Sequence, residues 1–172
     1  MSESISIREA QPGDADRLAL VGAATFLETF AGVLGGSAIV EHCRVNHSSS
    51  YYAEALENGC RAFLAEIEPD GAPVGFALTG SPNLPGTGEG DLELKRIYVL
   101  SRFHGSGVGA ALLEHASGAA DGYQRLVLGV YAANERAQRF YQRNGFVPIG
   151  TRRFDVGGTL YDDVIFARGN PS

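Results

Sequence analysis

The chain has 172 residues, 44% of them hydrophobic, and a formal net charge of −6. This length predicts one domain, residues 1–172, that can bury a sizeable core. The acidic balance excludes a general nucleic-acid binder, which needs a basic face. We expect no membrane-spanning segment, because no apolar run reaches about 18 residues, and the polar N-terminus favours a cytoplasmic protein. Cys43 and Cys60 lack metal-ligand spacing, so no metal is expected.

Strand and helix patterns alternate in the first part of the chain. Ile5–Arg8 alternates apolar and polar residues, which predicts a strand. Asp14 is a favourable N-cap residue for a helix over Ala15–Phe30, which has several apolar residues on or near one face. Two shorter helices are predicted at Ser37–Arg44 and Tyr51–Leu56.

Most of the predicted strands lie in the remainder of the chain. Arg61–Ile67 and Pro73–Thr79 flank a turn-rich stretch and predict an antiparallel hairpin. The later elements are a strand at Leu92–Leu100, a helix at Gly107–Ala120, a strand at Arg125–Val130, a helix at Asn134–Asn144, and strands at Phe146–Phe154 and Thr159–Ala167 joined by a turn at Val156–Gly158. This order predicts an α/β fold with a mixed sheet and helices on both faces.

Three glycines at alternate positions, Gly105, Gly107 and Gly109, lie between a predicted strand and a predicted helix. Glycine lets the backbone approach a ligand closely, and the helix N-terminus that follows favours an anion, so the pattern predicts a phosphate-binding loop. No lysine follows the glycines, which excludes a P-loop, and their spacing differs from the dinucleotide fingerprint. A third class stays open, the pyrophosphate loop of coenzyme A-dependent N-acetyltransferases.

A second motif lies in the last predicted helix and decides among these classes. After the strand that ends at Val130 come Asn134, Ala137, the pair Phe140–Tyr141 and the pair Gly145–Phe146. This pattern resembles the second signature of the GNAT superfamily of N-acetyltransferases, and the glycine loop resembles that family's pyrophosphate loop.

This sequence departs from the family's usual pattern at one position, and it is also similar to a narrower branch of the family. His104 stands where the family usually has glutamine or arginine, which bears on one phosphate contact. Three segments, Phe26–Ala31, Glu93–Val99 and Tyr161–Ile165, are similar to a bacterial branch that includes polyamine acetyltransferases.

The resemblance implies a fold and a cofactor. The fold is a central mixed, mostly antiparallel sheet, splayed between its fourth and fifth strands, with helices on both faces. The cofactor is acetyl-CoA, without a metal. The residues that the resemblance assigns to the coenzyme are Ile97, Tyr98, Val99, His104, Gly105, Ser106, Gly107, Val108, Gly109, Asn134 and Tyr141. Asn134 has a second interpretation as a plain helix N-cap.

The implied reaction is acetyl transfer to an amine by direct attack in a ternary complex. Tyr141 is the candidate general acid that protonates the leaving thiolate, and its alternative role is that of a core aromatic. Glu93 is the candidate base, acting through water, with Asp91, Glu28 and Glu89 as rivals. A cysteine-acyl intermediate is disfavoured, because neither cysteine lies in a catalytic motif.

The expected partner is a primary amine of a small molecule, or a protein N-terminus or lysine, with no nucleic acid and no membrane. A mixed sheet can leave an edge through which two copies form a homodimer. The alternative from another class is a non-catalytic acyl-CoA-binding or sensor domain, which would keep the glycine loop and lose the acid and the base.

Overall fold

The computed structural model describes residues 3–156 and 158–169 of the chain, so the predicted domain over 1–172 and the predicted turn at 156–158 extend outside the described residues. The strands are β1 (Ile5–Glu9), β2 (Arg61–Ile67), β3 (Ala72–Gly80), β4 (Asp91–Val99), β5 (Arg125–Tyr131), β6 (Val147–Val156) and β7 (Thr159–Gly169). The helices are α1 (Ala15–Phe30), α2 (Gly36–Asn46), α3 (Ser49–Glu57), α4 (Val108–Gly118) and α5 (Glu135–Arg143), with short 3₁₀ turns before α1 and after β4. Each predicted helix and strand is present, with its ends within two residues of the predicted ones.

The strands form one sheet in the order β1-β2-β3-β4-β5-β7-β6. The pairs β1–β2, β2–β3, β5–β7 and β6–β7 are antiparallel, whereas β4 and β5 are parallel. The parallel pairing joins Asp91–Glu93 to Arg125–Val127 and stops there, although both strands continue. The mixed, mostly antiparallel sheet predicted from the sequence is confirmed, including the early end of pairing between its fourth and fifth strands.

The chain divides into two compact units, each with its own apolar cluster. The first comprises Met1–Thr79 and Arg96–Ala119. In it, α1 and α3 pack on one face of the hairpin β2–β3, around Leu18, Tyr52 and Phe76, and α4 packs against β2. Burying these alternate strand residues removes apolar surface from water, which stabilises this unit.

The second unit comprises Gly80–Lys95 and Ala120–Ser172. Its apolar cluster joins β5 and β7 to the loop before β4, through Val127, Ile165 and Leu84. Alternation along the strands places Val127 and Ile165 on one sheet face, so Leu84 covers that face from the loop.

Asp14 stands at the N-cap position of α1, but its side chain makes no capping hydrogen bond to that helix. Its carboxylate instead accepts two hydrogen bonds of 2.8 Å from the Arg8 guanidinium and one of 2.8 Å from the backbone N–H of Gln11. The prediction that Asp14 caps α1 through its side chain is therefore wrong. The hydrogen bonds from Arg8 lower the pKa of Asp14 to about 2, because a bidentate guanidinium stabilises the ionised form.

Candidate active site

The glycine loop forms the turn between β4 and α4, and two of its glycines require left-handed backbone. Gly105 has a φ of +80° and Gly107, the N-cap of α4, has a φ of +91°. Residues with a Cβ rarely adopt this conformation. A Cβ built on either glycine would meet no atom within 4 Å, so this surface of the loop is open.

The start of α4 has the donors that an anion requires. Gly107 supplies no capping side chain, and the first N–H groups of the helix, at Val108, Gly109 and Ala110, precede the first intrahelical bond. These N–H groups and the positive end of the helix dipole favour a phosphate group. An open backbone cradle with unpaired N–H groups therefore fits the pyrophosphate of a coenzyme.

The turn that leads into this loop is held by side chains. The backbone N–H and hydroxyl of Ser101 both donate to the Glu28 carboxylate, at 2.9 and 3.0 Å. His104 Nε2 lies 2.8 Å from the carbonyl oxygen of Val99 and, with its proton on Nε2, donates to it. Glu28, one of the rival bases, therefore fixes the loop entrance, and His104 folds back onto its own strand.

The three coenzyme candidates on β4, Ile97, Tyr98 and Val99, are half-buried. The Tyr98 ring stacks on Phe76 with centroids 6.1 Å apart. A Cβ added at Gly75 would lie 3.0 Å from the Tyr98 carbonyl oxygen, so the glycine permits a close approach of the backbones.

The second motif begins with a capping residue and ends with a buried aromatic cluster. The Asn134 side chain accepts a 3.1 Å hydrogen bond from the Ala137 N–H, so Asn134 does cap α5. Tyr141 is 7% exposed and has ring centroids 5.7 Å from Phe146 and 6.3 Å from Phe166. Asn134 therefore caps a helix, and Tyr141 packs in an aromatic cluster. Contact of either residue with a ligand remains a prediction.

The carboxylates of β4 differ in their partners. Asp91 accepts two hydrogen bonds from Arg125, at 2.8 and 2.9 Å, which lower its pKa. Oε2 of Glu93 accepts from the Asn83 N–H at 3.0 Å and from Lys95 at 3.2 Å, while its Oε1 accepts from no described residue. Asp91 is occupied by its ion pair, and Glu93 retains one available oxygen.

A family model described as the acetyltransferase (GNAT) family matches residues 28–146, which include the glycine loop and the motif at Asn134–Phe146. The chain belongs to this family. This confirms the predicted enzyme class, an acetyl-CoA-dependent N-acetyltransferase. The sensor alternative is not favoured.

Relatives and solved structures agree with this assignment. Uncharacterized N-acetyltransferases of Mycobacterium tuberculosis and Mycobacterium bovis are 38% identical over 157 residues, covering 90% of this chain and 97% of theirs. The fold is similar to that of PaiA N-acetyltransferase from Thermoplasma acidophilum in complex with coenzyme A, with a TM-score of 0.78 and 22% identity over 96% of this chain and 99% of that one. Ribosomal-protein-alanine N-acetyltransferase from Brucella melitensis has a TM-score of 0.71 and 24% identity over 95% of this chain and 99% of that one. At these identities the two structures establish the fold alone.

A buried polar cluster beside α2 and α3 of this acetyltransferase was not predicted from the sequence. His47 Nδ1 lies 2.8 Å from the Tyr52 hydroxyl, and Arg96 donates to that hydroxyl at 2.9 Å and to the Asn46 carbonyl. Burial, with Arg96 adding repulsion, lowers the pKa of His47 to about 3. No sequence signal joins these residues, because Arg96 is on β4, about 50 positions from the others.

Asp163 is a second buried polar residue for which the sequence predicted no role. This carboxylate on β7 is 5% exposed, and its Oδ2 accepts from Arg152 Nε at 3.1 Å. Burial raises its pKa, and the hydrogen bond from Arg152 opposes that rise. An acidic residue at an inward-facing position of an amphipathic strand was the available signal, since buried carboxylates need a partner or a function.

Among residues 3–156 and 158–169 no helix is long and apolar enough to cross a bilayer. Within the same residues no three His, Cys, Asp or Glu side chains are grouped so that they could hold a metal ion.

Proposed function

We propose that this acetyltransferase transfers the acetyl group of acetyl-CoA to a primary amine of a small molecule or peptide, by direct attack in a ternary complex. The observation that carries the proposal is the open glycine loop, whose left-handed Gly105 and Gly107 precede the uncapped N-terminus of α4. This cradle suits the doubly charged pyrophosphate, and membership of the family identifies the nucleotide as coenzyme A.

The proposed coenzyme contacts divide into backbone and side-chain groups. Backbone N–H groups of Gly105, Gly107, Val108 and Gly109 bind the pyrophosphate, and those of Ile97–Val99 hold the pantetheine arm in an extended form. Asn134 adds a contact to the same arm while it caps α5. When bound, the coenzyme supplies an activated thioester, and the protein supplies position and backbone N–H groups that polarise its carbonyl.

Tyr141 is the proposed general acid. Its hydroxyl proton can be donated to the leaving thiolate as the carbon–sulfur bond breaks. Its packing against Phe140, Phe146 and Phe166 supports this role, because a ring fixed on several sides keeps its hydroxyl in one place.

Glu93 is the proposed proton acceptor, acting through water. The bonds from Asn83 and Lys95 both reach Oε2, which fixes the carboxylate and leaves Oε1 to accept from a water molecule. That water removes a proton from the acceptor ammonium, since only the neutral amine has the lone pair that attacks.

The cofactor half of the proposal is tested by thermal unfolding with acetyl-CoA, coenzyme A, ATP and NAD in parallel. A ligand that binds only the folded state raises the melting temperature by mass action. We expect both coenzyme A forms to raise it. No shift with either form, or a shift with ATP or NAD alone, would overturn the assignment of the loop.

The acceptor half is tested by release of coenzyme A in the presence of small amines and peptide N-termini. The same assay with spermidine tests the narrower hypothesis of a polyamine acceptor.

A further inference from the structure

A cavity of about 580 Å³ opens within the second unit, against β6, β7 and the residue that follows β5. Four charged side chains line it: Arg152 and Arg153 from β6, and Asp162 and Asp163 from β7. Two guanidinium groups and two carboxylates give these side chains no net charge. The lining therefore offers partners both to a cationic group and to an anionic group of one ligand.

Asp163 offers an acceptor atom to the cavity. Its side chain is 7% exposed, and Oδ2 is fixed by Arg152 Nε at 3.1 Å. Oδ1 accepts a hydrogen bond from no residue among those described. Since burial raises the pKa of this carboxyl, its charge is poorly solvated, and an ammonium donor would stabilise it.

Gly129 makes room for this carboxylate. A Cβ at position 129 would lie 3.3 Å from Asp163 Oδ2 and 3.5 Å from Arg152 Nη2. A side chain there would therefore crowd the Asp163 carboxylate and come into ordinary contact with the Arg152 guanidinium. The glycine keeps open the space beside the two charged groups.

Arg152 has hydrogen-bond donors in the same cavity as the Asp163 carboxylate. Only its Nε bonds to Asp163, and in the described part of the chain Nη1 and Nη2 have no acceptor. Its side chain is 30% exposed, so these nitrogens can reach a ligand. A guanidinium with two such nitrogens matches a carboxylate, which it binds through paired N–H groups.

We infer, resting on the proposed function, that this cavity is the acceptor site and that the acceptor is a free aminocarboxylate of the amino-acid type. Its ammonium group donates to Asp163 Oδ1, and its carboxylate accepts from the Arg152 guanidinium. The two protein groups are hydrogen-bonded neighbours, as the ammonium and carboxylate of an α-amino acid are neighbours on one carbon. The side chain of the amino acid occupies the rest of the cavity.

Coenzyme A release with L-amino acids, with the amines that lack their carboxyl group, and with spermidine tests the inference. The pairs L-phenylalanine with 2-phenylethylamine and L-leucine with isoamylamine differ only in the carboxylate. We expect at least one amino acid to exceed its paired amine and spermidine by about 30-fold or more in kcat/KM, the range for a buried charged contact. A preference for the amines or for spermidine would overturn the inference.

Substitutions of Asp163 and Arg152 test whether these two side chains bind the ammonium and the carboxylate of the amino acid. Asp163→Asn and Arg152→Lys should each raise the amino-acid KM by about 30-fold or more, because each weakens one charged contact. Glu9→Gln and Arg61→Lys are the controls, since they make the same kinds of change in an exposed ion pair that lies outside the cavity. An equal loss in the controls, or no loss in the test variants, contradicts the assignment.

The melting-temperature shift with coenzyme A separates this inference from the proposed function. All four variants should keep the wild-type shift, which also shows that they fold. Wild-type protein that binds coenzyme A and acetylates only amines without a carboxylate would retain the proposed function and refute the aminocarboxylate site. Wild-type protein that acetylates no amine would refute both.

Discussion

Gly107 has a left-handed backbone conformation and a proposed contact with the coenzyme pyrophosphate. Its φ of +91° ends the turn before α4, and the space where a Cβ would project is open. Gly122, in the turn between α4 and β5, has a φ of +89° and equally open surroundings. The two positions therefore impose the same backbone strain on any substituted residue.

We predict that Gly107→Glu abolishes the stabilisation by coenzyme A, because a negative side chain then lies against the pyrophosphate. Gly122→Glu should retain it. Both variants should lose about 1–2 kcal/mol of unfolding free energy from left-handed strain. Thermal and urea unfolding with and without coenzyme A measure both effects, and unchanged coenzyme affinity in Gly107→Glu would contradict the loop assignment.

The proposed chemical role of Tyr141 can be tested separately from coenzyme binding by removing a single oxygen atom. Tyr141→Phe removes the phenolic hydroxyl and keeps the ring that packs on Phe146. We expect kcat to fall by about 100-fold or more, the usual contribution of a positioned acid, with coenzyme affinity within twofold of wild type. Tyr123→Phe, at a half-exposed ring, is the control. Full activity in Tyr141→Phe would mean that another group protonates the thiolate.

At the scale of elements, a buried polar cluster connects the junction of α2 and α3 to β4 through hydrogen bonds. Arg96 on β4 donates to Tyr52 and to the Asn46 carbonyl, and its guanidinium lies 4.4 Å from the Tyr51 ring centroid. Tyr52 in turn contacts His47. The cluster has no carboxylate within salt-bridge distance of Arg96 in the described chain, so His47 stays neutral beside a cation.

This neutral histidine makes stability depend on pH. The pKa of His47 falls from 6.5 to about 3 in the folded protein, so below pH 6.5 the unfolded chain binds a proton that the folded chain does not. Stability is therefore full above pH 6.5 and is lost as the pH falls toward 3. Between pH 7 and pH 5 the loss is about 2 kcal/mol.

Urea unfolding of the wild type and of His47→Gln at pH 7 and pH 5 measures this effect. The variant should lose about 2 kcal/mol less over that interval. His115→Gln, at an exposed position, should behave like the wild type. An unchanged pH dependence in His47→Gln would show that His47 titrates normally in the folded protein.

Two helical glycines show how the cluster constrains α1. A Cβ at Gly22 would lie 2.5 Å from His47 Nδ1 and 2.6 Å from the Tyr52 hydroxyl, whereas one at Gly118 in α4 would meet nothing within 4 Å. We predict that Gly22→Ala destabilises the protein by about 2 kcal/mol or more through overpacking. Gly118→Ala should be neutral or stabilising by up to about 1 kcal/mol. Equal stabilities in urea would contradict the packing at Gly22.

Helix and strand bounds could be predicted closely from local patterns. The apolar positions of Ala15–Phe30 and the turn signals around Arg61–Ile67 reproduce α1 and β2 to the residue. The absence of a side-chain cap by Asp14 could not be predicted from the helix pattern, because Arg8 on β1 competes for that carboxylate. Capping rules fail where a side chain from another element offers a stronger interaction.

At the scale of the whole molecule, the order of the strands in the sheet could not be predicted from local sequence patterns. β7 pairs with both β5 and β6, so it lies between two strands that precede it in the chain. That pairing brings Arg152 of β6 beside Asp163 of β7 and creates the charged cavity. The glycine loop and Tyr141 could be proposed as site residues because each lies within one continuous motif. The cavity depends on the register of the β6–β7 pair, which local periodicity does not encode.

Transfer of the acetyl group from acetyl-CoA to an amine can be tested by the stoichiometry of the reaction. The purified chain would be incubated with acetyl-CoA and a panel of L-amino acids, monoamines, spermidine and peptides, and free thiol and acetylated products would be quantified together by mass spectrometry. We expect one mole of N-acetylated amine for each mole of coenzyme A released, with no acetylated protein as an intermediate. Coenzyme A that binds without any amine product, or thiol release without N-acetylation, would contradict it.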